Sequence, residues 1–155
     1  MSIEGNIMMR KTKEVTNMAS PMIKEWGLYF YKADGDDNRT TVAKAFADFW
    51  KDSRVDALEI PGKCMLGGKV FGCEGFDDGD EIFTSYVKSV ERIERGNHNG
   101  TPRDLMCATT MSGSKYYFYS DGYSSYMFLM LGDLIHTGKL SQHYLKREFQ
   151  NSEFI

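Results

Sequence analysis

The chain has 155 residues, enough for one domain to bury a core without disulfides or a metal. A formal net charge of −3 with 26% charged residues excludes a broad phosphate-binding surface of the kind that carries non-specific DNA binding, and leaves room only for a local basic pocket. With 9 Tyr and 10 Phe the chain is rich in side chains that suit pockets and interfaces, where one end of the ring meets water or a ligand.

Cys64, Cys73 and Cys107 are odd in number and lack metal-ligand spacing, which reads as free thiols in a reducing compartment. The N-terminus has no basic start followed by an apolar run, and no stretch of 18 apolar residues occurs. A cytoplasmic protein is expected.

Residues 1–20 are polar with scattered Met and no sustained period, so a loosely ordered arm is expected, followed by a single domain over 21–155. Residues 22–33 are rich in aromatics and run into the turn-former cluster Asp34-Gly35-Asp36-Asp37-Asn38, which reads as a strand and its turn. Asp34, Asp36 and Asn38 alternate as in a calcium loop, but Arg39 stands where that loop needs Gly and Ala45 where it needs Glu. Thr40 and Thr41 can cap a helix over 41–52, whose Val42, Phe46, Phe49 and Trp50 form an apolar stripe that would lie on a sheet.

Gly62 to Lys69 has the glycines of a phosphate-binding loop but lacks the Gly-Lys-Ser/Thr ending, and a strand follows it. Residues 68–72 read as a strand, 74–81 as an acidic turn, and 82–93 as a longer strand in which neither face is cleanly apolar. Ile82, Thr84, Tyr86, Lys88, Val90 and Arg92 fall on one face by strict alternation, Phe83, Ser85, Val87, Ser89, Glu91 and Ile93 on the other. Residues 94–104 contain every turn-former and read as a loop, and 105–111 with 115–119 as a hairpin around Ser112-Gly113-Ser114. Residues 126–135 are apolar almost all round, with Gly138 where a C-cap glycine belongs. Such a helix needs two covers, and one sheet supplies one, so a homodimer or larger homo-oligomer is expected through residues 125–136. A last helix follows from Ser141 through Phe149.

His98, His136 and His143 have no local nucleophile signature, no Cys or His pair has zinc spacing, and the acids Asp77, Asp78, Asp80 and Glu81 read as a solvated turn. Neither a cofactor nor a metal is expected, and no catalytic residues are assigned. What remains are binding groups. The hydroxyls of Thr84, Ser85, Ser112 and Ser114, the guanidinium forks of Arg92, Arg103 and Arg147, and the ring of Tyr117 are groups that hold a phosphorylated, base-containing small molecule without reacting with it.

The pattern Gly68-Lys-Val-Phe-Gly72, Asp78-Gly79, Ile82-x-Thr84-Ser85, then Thr110-x-Ser112-Gly113-Ser114-x-Tyr116 resembles a family of small proteins carried by phages and other mobile elements of Firmicutes. The expected layout is α+β: an antiparallel β-sheet with an inserted N-terminal amphipathic helix and two C-terminal helices. It is similar to that of the phage sponge proteins that sequester the cyclic ADP-ribose signal of Thoeris defence. The resemblance implies a phage or mobile-element counter-defence protein of the infected bacterial cytoplasm, binding a cyclic nucleotide or ADP-ribose-type signal without catalysis. The alternatives are an anti-CRISPR-like inhibitor that binds a host defence nuclease through the acidic turn, and an enzyme of uncharacterised activity.

Overall fold

A computed structural model describes residues 21–140. The expected arm over 1–20, the last helix over 141–149 and the candidate Arg147 lie outside the described residues. Strand β1 (Met22–Tyr29) is followed by a 3-10 turn (Lys32–Asp34) and helix α1 (Asp36–Lys51). Strands β2 (Ala57–Glu59), β3 (Met65–Phe71) and the long β4 (Glu81–Glu94) come next. A short hairpin of β5 (Asn97–His98) and β6 (Thr101–Pro102) then leads to β7 (Leu105–Thr110), β8 (Lys115–Tyr119) and helix α2 (Ser125–Thr137). The described residues form an α+β fold, with a mixed, mostly antiparallel sheet and two α-helices.

The main sheet closes on itself. Its order is β2-β4-β3-β1-β8-β7, and β7 pairs back onto β4, so β1, β3, β4, β7 and β8 form a ring. Five strands that alternate in direction leave the first and last running the same way, which is why β1 and β8 meet in parallel, at Met22 and Tyr117. β2 extends β3 along the same edge of β4, pairing at Ala57, Leu58 and Glu59 with Glu91, Val90 and Ser89. Closure gives the strands partners on both sides and removes most free edges.

β4 carries the main correction to the alternation read from sequence. Its buried residues are Ile82, Thr84, Val87, Val90 and Arg92, so the inward set steps by three twice. The ladders slip at the same places, between Met65 and Gly67 on the β3 side and between Val87 and Ser89 on the β7 side. Each slip inserts one residue and transfers the following side chains to the other face. A bulge in β1 between Lys24 and Gly27 puts Glu25 at φ 54, a left-handed value that a non-glycine residue adopts at a cost.

The core centres on Trp26, whose ring meets Phe46 at 5.5 Å, Phe118 at 4.9 Å and Tyr123 at 6.2 Å. The indoles of Trp26 and Trp50 donate to the carbonyls of Tyr119 and Ser120, each at 2.7 Å, and so fix the chain as it leaves β8. α1 begins earlier than the threonines implied. Gly35, at φ 88, precedes its first turn, and Asp36 and Asp37 sit where the helix dipole favours carboxylates. Val42, Ala43, Phe46, Ala47 and Phe49 form its buried stripe. β1 ends at Tyr29 rather than Ala33, and the loop expected over 94–104 contains the β5–β6 hairpin, turned by Asn99 and Gly100 at φ 52 and 86. α2 ends as expected at Gly138, which at φ 74 donates to the Leu134 carbonyl, and it is N-capped by Ser124, whose Oγ accepts from the Met127 N–H at 3.1 Å. Among the described residues, no helix is long and apolar enough to cross a membrane.

Candidate functional site

The hydroxyl candidates gather at one end of the ring. Thr84 sits in the first bulge of β4, where its Oγ1 accepts from the Leu66 N–H at 3.0 Å and donates to the Ser85 carbonyl at 2.7 Å. It is buried, and it satisfies main-chain groups that the bulge takes out of the ladder. Ser85 points out and its Oγ lies 3.4 Å from Ser112 Oγ, which is 2.9 Å from the buried Thr110 Oγ1. Thr110 Oγ1 also accepts from the Ser114 N–H at 3.2 Å, while the Gly113 N–H donates to the Thr110 carbonyl and the Met111 N–H to that of Tyr86. Gly113, at φ 93, supplies the left-handed residue that lets this loop close.

The two halves of the sequence pattern, Thr84-Ser85 and Thr110 to Ser114, are therefore one hydrogen-bonded unit. Ser85, Ser112 and Ser114 are exposed at its surface beside Met111, which is 70% exposed. Sequence reasoning missed the adjoining Lys115, whose Nζ donates to Thr109 Oγ1 at 3.2 Å on the outer side of the same hairpin. The available signal was its position directly after Ser114, opposite Thr109 across a two-strand turn. Among the described residues, the side-chain partners of the Ser85 and Ser112 hydroxyls are other hydroxyls: each other's, and for Ser112 that of Thr110. The arrangement offers hydroxyl donors and acceptors, and the same hairpin carries the ammonium of Lys115 at Thr109.

The remaining candidates do not join this unit. Arg92 lies on the buried face, its guanidinium committed to the fold: Nε donates to Asp104 Oδ2 at 2.9 Å, and Nη2 to the Phe49 carbonyl at 3.0 Å. Nη1 donates to the Val55 carbonyl, and the whole group lies over the Phe49 ring. It occupies the carbonyls that the end of α1 leaves unpaired, so it presents nothing to a ligand. Arg103 is at the opposite end of β7, about 20 Å away along six residues of strand. Its guanidinium lies 4.3 Å from the Tyr119 ring centre and 3.9 Å from Asp121. Tyr117 lies between the two ends, half-buried on β8 opposite Cys107.

Comparison with known families, curated proteins and solved structures returned no match. The candidate site therefore stands on its own geometry.

The acids singled out in sequence are built into turns. Asp34 accepts the Tyr86 hydroxyl at 2.7 Å, which pushes the phenol up to about 12. Asn38 clasps Lys63 through both its amide atoms, each at 2.8 Å, and Asp36 faces Arg39. In the acidic turn Asp78 accepts from the Gly72 N–H and Asp80 from the Asp77 N–H. Burial alone pushes the Cys64 thiol up to about 12 and dominates the rise at Cys107, which leaves both as neutral core groups.

Proposed function

We propose that this chain is a non-enzymatic capture protein for a cyclic nucleotide or ADP-ribose-type signal, acting in counter-defence on behalf of a mobile element. The observation that carries the reading is the contact between Ser85 and Ser112, 27 residues apart in sequence. It joins both halves of the resemblance pattern into one exposed hydroxyl surface, with Lys115 on the same hairpin, held at Thr109. Hydroxyls and an ammonium bind phosphate and ribose oxygens by hydrogen bonds and charge. Arg103 and Tyr119 lie too far along the hairpin to share a small ligand with this surface, so the ligand sits at the Ser112 end.

A thermal-shift panel of cyclic ADP-ribose isomers and cyclic oligonucleotides tests this. A ligand at about one hundred times its Kd stabilises by about 2.7 kcal/mol, a Tm rise of about 5–10 °C for a chain of this size. Flat curves across the panel would overturn the proposal.

A second reading, an inhibitor that binds a host defence nuclease, rests on Phe76, which stands 51% exposed in the acidic turn among Glu74, Asp77 and Asp78. An exposed aromatic in an acidic turn suits a basic protein surface. Pull-down from host lysate separates the two readings, because only the second retains a large partner.

A further inference from the structure

We infer that the outward face of α2 is a two-fold interface, joining two copies of this chain with their α2 helices antiparallel and crossing at Gly132. One side of α2 is buried through Tyr126, Met127, Met130, Leu131 and Leu134. The other presents Phe128, Leu129, Ile135 and His136, with Phe128 57%, Leu129 47% and Ile135 39% exposed. These four residues stand at three and four positions on either side of Gly132, so they are its neighbours on the helix surface. A Cβ at Gly132 would meet nothing within 4 Å. Helix interiors disfavour glycine, and no contact within the described chain explains this one.

The face also contains its own knob and hole. Phe128 is held upright against Tyr123, ring centres 5.7 Å apart, and Tyr123 is in turn backed by Trp26 and Trp50. A groove of about 350 Å³ runs between α1 and α2, with Ala47, Leu134 and Ile135 in its wall and Lys44, Asp48 and Lys51 along its α1 side. Phe128 precedes Gly132 by about 6 Å along the helix axis, and the groove residues Ile135 and Gly138 follow it by about 4.5 to 9 Å. Phe128 and Ile135 are also displaced to the same side of the helix. A two-fold axis through Gly132 therefore carries Phe128 of each copy onto the groove of the other, and Leu129 onto His136. In such an interface residue i meets j and j meets i, and the match around Gly132 is what selects a second copy over any other occupant.

The three exposed apolar side chains offer about 300 Å² per copy, taking roughly 200 Å² for a large side chain. That is the core of a standard interface of about 800 Å² per partner, with the mixed charges of Lys44, Asp48 and Lys51 as its polar rim.

Sedimentation equilibrium on the full chain tests the inference. The expected result is a dimer at micromolar concentration whose Kd rises about tenfold or more with Phe128→Ser. Gly132→Gln should do the same while raising the thermal midpoint of the isolated subunit, because glutamine is the better helix former and the site is open. Opposite movements of assembly and stability are not produced by simple unfolding. A monomer at all concentrations, or a dimer that responds to neither substitution, would overturn the inference.

Discussion

Replacing Arg92 by Met should destabilise the fold more than any exposed substitution, and its cost can be worked from the contacts. The guanidinium is buried against Asp104, the Phe49 and Val55 carbonyls and the Phe49 ring. Asp104 continues the link by accepting from the Gly96 N–H at 3.2 Å, and its own N–H donates to Ser120 Oγ at 2.9 Å. Arg92 thus joins the end of α1 to β4, to the start of β7 and to the exit of β8. Methionine fills much of the volume but leaves Asp104 buried and charged, and orphans the helix carbonyls. Removing one partner of a buried pair costs about 3–5 kcal/mol. At about 2–4 °C per kcal/mol, Tm falls by about 6–20 °C. Urea denaturation followed by circular dichroism measures it, and the double variant Arg92→Met with Asp104→Leu should lose less than the sum of the two single variants. A loss below about 1 kcal/mol for Arg92→Met would refute the structural role.

Four smaller effects follow from individual contacts. Glu25→Gly should raise Tm by a few degrees, because the left-handed backbone costs about 1–2 kcal/mol for a side chain and the exposed pair with Lys69 gives little back. Gly67→Ala should lose about 1–3 kcal/mol, since its Cβ would come within 2.8 Å of the Tyr29 and Phe83 rings, and urea midpoints will read it. Tyr86 should titrate near 12 by ultraviolet absorbance; its raised value makes a contribution to stability that is full below pH 10 and lost as pH climbs through 12, and Asp34→Asn should return it toward 10. Asp52, held down to about 2 by its hydrogen bonds from Arg54, favours the fold above its ordinary 3.8 and loses that contribution as pH falls through 2. Arg54→Ala should move the titration only part of the way back toward 3.8 in a carboxyl NMR series, because the main-chain N–H of residue 54 still donates to Asp52 Oδ1 at 3.1 Å.

Much of the architecture could be read from local pattern. The stripe Val42, Phe46, Phe49 is buried on α1, the 105–119 hairpin is present, and Gly138 ends α2, because each depends on residues within a turn or two of one another. Ring closure was not legible. It depends on pairs such as Val90 with Ala108 and Met22 with Tyr117, whose sequence separation no local period encodes. The bulges of β4 explain why strict alternation gave two mixed faces: Val87 belongs inside with Ile82 and Thr84, and only a slip of the ladder puts it there. Arg92 shared its strict-alternation face with Lys88 as well as with Ile82, Thr84 and Val90, and only the bulges separate the buried arginine from the exposed lysine. Ser85 and Ser112 were legible as candidates, whereas their contact needed the fold.

The most direct test of the capture proposal is calorimetric titration of the full chain with the cyclic nucleotide giving the largest thermal shift, followed by heat release and chromatography of the bound molecule. Capture through the Ser85–Ser112 surface predicts saturable binding, a Kd raised about tenfold or more by Ser112→Ala with Lys115→Ala, and a ligand recovered unchanged. Binding that ignores those substitutions, or recovery of a cleaved product, would contradict it.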